Sequence, residues 1–146
     1  MLDNCCFNRP YDDQTQLRIS LESQAKLYIQ SMIREGSIEL ASSFILSHEN
    51  TRNPYDIRRR SIEAFLVDNV SVYVSARQSE EIRRLAEDVM QTGIKAADAL
   101  HVACAIIAHC DFLLTTDMRL LKHRNDKIRI MNPVDFITIL GGAENE

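Results

Sequence analysis

Apolar positions change their spacing several times along the chain, and the changes mark out its elements. Leu17, Leu21, Ala25, Tyr28 and Met32 recur at steps of three and four, which predicts one apolar helical face. Asp13 with Gln16 reads as a capping-box start to that helix, and Gly36 as its stop. A short strand over Ile38–Ala41 runs straight into a helical stretch from about Ser43 to Asn50. Asn53-Pro54 has the form of an N-cap and first-turn proline, opening a helix to about Asp68. Val70–Val74 alternates β-branched residues and predicts a strand. Ser75 and Gln78 precede a helix carrying Ile82, Leu85, Ala86, Val89 and Met90, ended by Gly93. Ala96–His109 is apolar nearly all round, the pattern of a buried helix. Phe112–Thr116 and Ile128–Met131 read as strands flanking a short helix at Asp117–Lys122. Asn132-Pro133 opens a last helix to about Leu140.

With Met1-Leu2 as a very short first strand, strands and helices alternate. That predicts a three-layer α/β/α fold around a central parallel sheet of about five strands. The expectation is one domain over residues 1–140 and a flexible tail over 141–146.

Composition narrows the function classes without choosing one. A length of 146 residues with 45% hydrophobic and 26% charged residues suits a single buried core. No apolar run approaches a membrane span, no signal-peptide pattern opens the chain, and a cytoplasmic protein is expected. Cys5, Cys6, Cys104 and Cys110 show no zinc-like spacing and read as small buried thiols. A net charge of −4 argues against coating nucleic acid by bulk electrostatics. Local basic clusters remain at Arg58-Arg59-Arg60 and over Arg119–Arg129.

The candidate chemistry lies in four acids. Asp3 follows the first predicted strand, Asp117 the fourth, and Glu49 sits about two turns into the helix after the second. Asp98 occupies the first turn of the most apolar helix, where the helix dipole favours an anion. Ligands of open parallel sheets sit at the carboxyl ends of the strands. Four carboxylates there would repel one another unless a cation compensates, and an all-oxygen set suits Mg²⁺ or Mn²⁺. Each acid also has a plain role: Asp117 as a helix N-cap, Glu49 as a solvated helix residue, Asp3 as a terminal acid. His101, one turn from Asp98, reads as a core histidine bonded to backbone or to Asp98.

Taken together, Leu2-Asp3-Asn4, Glu49, Ala97-Asp98-Ala99-Leu100-His101 and Leu114-Thr115-Thr116-Asp117 resemble the four motifs of PIN domains. Ile130–Phe136 is similar to that family's last strand and helix, so the resemblance covers essentially the whole chain. It implies a metal-dependent endoribonuclease and, as in VapC-like proteins, the toxin of a toxin–antitoxin pair. Asp3, Asp98, Asp117 and Glu49 would then hold Mg²⁺ or Mn²⁺ and form the catalytic set. Asn4, Thr116, Lys122 and Arg124 would be secondary positions for water or RNA. RNA, an antitoxin protein and a homodimer are the partners it implies. One departure is plain: the family's first strand lies mid-sheet, and only Met1 and Leu2 precede Asp3 here.

Two other classes compete. One is a PIN-like fold that binds without turnover. The other is a phosphoryl-transfer α/β domain with an acidic pocket. A haloacid-dehalogenase-type phosphatase wants an Asp where Cys5 stands, and a receiver wants a Lys where Asn132-Pro133 stands.

Overall fold

A computed structural model describes residues 1–144 as a mixed α/β chain. Its helices are α1 (Asn4–Asn8), α2 (Leu17–Glu35), α3 (Phe44–Thr51), α4 (Asp56–Asn69), α5 (Ser79–Met90), α6 (Ala96–Ile107), α7 (Met118–Leu121) and α8 (Pro133–Glu144). Its strands are β1 (Leu40–Ser43), β2 (Val70–Val74), β3 (Phe112–Leu114) and β4 (Arg129–Met131). Single 3₁₀ turns cover Arg9–Tyr11 and Ala76–Gln78.

The strands form two separate parallel pairs, β1 with β2 and β3 with β4, in place of the expected sheet of about five. The reason lies at the amino end. Leu2 makes only an isolated parallel bridge to Leu114, with Leu114 N donating to Met1 O and Asp3 N to Leu114 O. Residues 1–3 thus extend the β3 ladder, but no bridge carries it across to β1. A cavity of about 560 Å³ lies between the two pairs, with Leu2, Leu40, Ala41 and Phe112 in its walls.

Side-chain alternation still gives β1 and β3 two covered faces, while β2 stays largely exposed. Met1, Ala41 and Leu113 join one apolar cluster with Ile82, Ala86, Val89 and Val102 of α5 and α6. Their neighbours Leu2, Leu40 and Leu114 join another with Phe7, Ile29, Phe65 and Phe136 of α1, α2, α4 and α8. Burying strands on both faces with helices is how short parallel pairs are held.

The most informative departure is α2. Its inward face carries Glu22, Ser23, Ala25, Lys26, Ile29, Gln30 and Ile33, while Leu17, Leu21 and Tyr28 are exposed. Arg9 and Arg18 both pair with the buried Glu22 carboxylate, and Asn132 Nδ2 also donates to it. Lys26 lies over the Phe7 ring at 5.3 Å, and burial pushes its ammonium down to about 8. Asp13 caps no helix; its Oδ1 accepts from Thr15 in a turn before Gln16.

The other boundaries shift by a few residues. Gly36, at φ 80°, ends α2 as expected, and His109, at φ 56°, takes the left-handed conformation just beyond α6. Asn132 Oδ1 accepts from Val134 N at the start of α8. That helix continues through Gly141 to Glu144, where a tail was expected; residues 145–146 of that segment lie outside the described residues. All four cysteines are free, and Cys5 is exposed, unlike the buried Cys6 and Cys104. No helix among the described residues is long and apolar enough to cross a membrane.

Candidate active site

Three of the four acids stand where helices begin. Asp3 caps α1, its Oδ1 accepting from Cys6 N at 3.0 Å. Asp117 caps α7, its Oδ1 accepting from Arg119 N at 2.8 Å and Leu120 N at 3.3 Å. Asp98 sits in the first turn of α6 with no capping bond. The plain role of Asp117 as a cap is therefore filled, and Asp3 has the same one. Capping uses one carboxylate oxygen and leaves the other free.

The environments of these acids overlap. Burial raises the Asp3 carboxyl above its usual 3.8; the Thr115 hydroxyl and Cys6 N–H offset part of that. Thr115 Oγ1 also accepts from Asp117 N at 3.1 Å, so one hydroxyl joins two of the acids. Asp98 is raised by burial first, then by the charge of Asp117; His101 and Lys95 offset part of that, and Glu49 adds a smaller push. Cys5 sits among them: although its surface reaches solvent, the protein atoms crowded round its thiol, then Asp3, Asp117 and Asp98 in turn, push it up to about 12. Among the described residues no lysine or arginine forms an ion pair with Asp3, Asp98 or Asp117.

Glu49 has a partner that the sequence did not reveal. Its Oε1 lies 2.8 Å from His101 Nε2, so His101 bonds neither backbone nor Asp98, as expected, but the fourth acid. Burial alone would push His101 down. The hydrogen bond and charge of Glu49, with Asp3 and Asp98 behind them, outweigh it and raise the imidazole above 6.5. His101 Nδ1 is buried with no hydrogen-bond partner. An orphaned polar atom of this kind is costly unless something satisfies it.

The secondary positions divide. Asn4 Oδ1 accepts from Asn8 Nδ2 at 3.0 Å, which ties its side chain back along α1. Thr116 is buried, and its carbonyl accepts from Arg18 at 2.9 Å, linking the Asp117 loop to the Glu22 cluster. Lys122 is exposed. Arg124 borders a cleft lined by Thr92, His123 and Ile106, which none of the four acids lines. Ile106 lies roughly 12 Å of helical rise from Asp98 along α6, so Arg124 is not brought to the acids.

The donor chemistry matches a hard divalent cation: carboxylates from separate elements and a hydroxyl, with His101 bonded to Glu49 alone and no lysine or arginine ion pair on the three aspartates among the described residues. The side chains as placed do not close around one. Among the described residues, no three His, Cys, Asp or Glu side chains converge tightly enough to hold an ion. The arrangement is an acidic patch at three helix starts, charged beyond what its own residues compensate. Compared with family models and with curated proteins, the chain matches none.

Proposed function

We propose that the chain is a PIN-type, metal-dependent endoribonuclease, with Asp3, Asp98, Asp117 and Glu49 as its acidic set. What supports this reading is that Asp3, Asp98 and Asp117 have no lysine or arginine ion pair among the described residues, while the charge of Asp117 raises Asp98 and all three aspartates raise the thiol of Cys5. Like charges held close together call for an external positive charge. Asp3, Asp98 and Asp117 would hold Mg²⁺ or Mn²⁺, with Glu49 completing the set through the oxygen His101 does not occupy. The ion would supply an acidified water and stabilise charge on the scissile phosphate. Thr115 Oγ1 fixes the backbone of Asp117, and its hydroxyl eases the Asp3 carboxyl downward. His101 restrains Glu49.

The three-layer form with a central sheet belongs to this reading, and so do RNA as substrate, an antitoxin-like partner, a homodimer and a cytoplasmic setting. Incubating the protein with single-stranded RNA and Mn²⁺ tests it. Cleavage leaving 5′-phosphate ends, and its loss in Asp98→Asn, is the expected result. RNA left intact with Mg²⁺, Mn²⁺ and Co²⁺ alike would reject it. The open spacing of the donors favours a second reading, a binding module of the same fold. Tight RNA binding without cleavage would establish that one.

A further inference from the structure

Three consecutive arginines open α4, and the structure treats them unequally. Arg59 and Arg60 both pair with Asp56. Arg58 pairs with no carboxylate among the described residues. Its guanidinium carbon lies 4.8 Å from the Tyr11 ring centroid and 4.3 Å from that of Tyr55. Its Nε is buried with no hydrogen-bond partner. Aromatic faces attract a cation without neutralising it. Both tyrosines are nonetheless exposed, Tyr11 at 40% and Tyr55 at 59% of the residue surface.

The position of this stack matters as much as its composition. Tyr11 ends the 3₁₀ turn that follows α1, the helix capped by Asp3. Tyr55 lies just beyond α3, the helix that carries Glu49. An amide chain ties the two segments together: Asn53 Nδ2 donates to Asn8 Oδ1 at 3.2 Å, and Asn8 Nδ2 to Asn4 Oδ1 at 3.0 Å. The rings therefore stand on segments that lead directly away from two of the four acids. Exposed aromatic rings beside an uncompensated arginine are what unpaired nucleotides use, the rings for bases and the charge for phosphate.

We propose that Tyr11, Arg58 and Tyr55 form a stacking platform that holds an unpaired RNA nucleotide next to the acid cluster. This rests on the ribonuclease reading and narrows its substrate to single-stranded RNA. Every base has a π-face, so the platform selects unpaired strands without selecting a sequence.

The test uses the full chain carrying Asp98→Asn and a short single-stranded RNA containing one 2-aminopurine. Binding is expected to quench the 2-aminopurine. Tyr55→Leu should abolish the quench and raise Kd about tenfold, Tyr11→Leu should do the same, and Tyr55→Phe should preserve both. An unchanged Kd and quench in Tyr55→Leu would overturn the platform. So would a lowered melting temperature with RNA binding intact, or no RNA binding at all. Cleavage by the unmodified protein is measured in parallel. Cleavage with tyrosine-independent binding rejects only the platform. Tyrosine-dependent quenching without cleavage keeps the platform and rejects the nuclease.

Discussion

Glu22 is almost fully buried, and Arg9, Arg18 and Asn132 all reach its carboxylate. Asp3 is equally buried, yet it and its neighbours Asp98 and Asp117 have no basic partner among the described residues. Arg18 touches both regions, bonding Glu22 on one side and the Thr116 carbonyl on the other. A guanidinium thus stops one residue short of Asp117 and is spent on Glu22. A carboxylate that serves only to join elements is compensated within the chain. The uncompensated set has its charges stabilised from outside, or not at all.

The contrast is broken most severely at Glu22. Glu22→Ala leaves Arg9 without its buried partner and Asn132 without an acceptor, and should cost about 3 kcal/mol. Urea denaturation would measure it, and a loss below about 1 kcal/mol would place this network among ordinary surface ion pairs. Mn²⁺ should act on the other region alone. At a hundredfold excess over its Kd it should add about 2.7 kcal/mol to the unmodified protein. Glu22→Gln, if folded, should keep that response and Asp98→Asn should lose it, read from melting curves with and without the ion.

A smaller effect has the opposite sign from most charge deletions. Without divalent ions, Asp98→Asn should stabilise the fold by about 0.5 kcal/mol, the scale of a solvent-screened charge pair. A destabilised variant would mean that Asp98 is held by a bond its surroundings do not reveal. The gentlest test is pH. Asp3 and Asp98 are raised above 3.8 and His101 above 6.5. All three therefore bind protons more tightly folded than unfolded. The stability they contribute is complete below those ordinary values and is lost as pH rises through the raised ones. Burial holds His123 below 6.5, so its contribution runs the other way; metal-free protein should therefore lose more melting temperature from pH 6 to pH 8 than His101→Gln does, and Mn²⁺ should flatten the difference.

What the sequence revealed and what it hid follow from the range of the forces involved. The periodicity of α5 and α6, the alternation of β2 and the stop at Gly36 are local, and each appears within a few residues of its predicted place. The inward face of α2 is not local. Glu22 and Lys26 look like solvent residues until Arg9, Asn132 and Phe7 come in from elsewhere, and their burial turns Leu17, Leu21 and Tyr28 outward. The same limit hid the Glu49–His101 bond, whose partners are 52 positions apart. The four acids were legible as residue types in sheet order. The capping role of Asp117 followed from local sequence; that of Asp3 and the open spacing between the acids did not. The central sheet was not legible, because Met1-Leu2 looks like a strand by pattern but, among the described residues, bridges only to Leu114.

Met1 gives that short ladder a consequence for handling the protein. Its α-ammonium donates to Phe112 O at 2.8 Å, and its side chain is buried in the α5–α6 core. Removing this residue would take away a core side chain and the carbonyl that holds Leu114 N. A formyl group or affinity tag fused to it would replace the ammonium by an amide with one N–H for Phe112. The chemical state of the first residue is thus a variable two positions from Asp3. Preparations that differ only there should be compared by intact mass before their activities are.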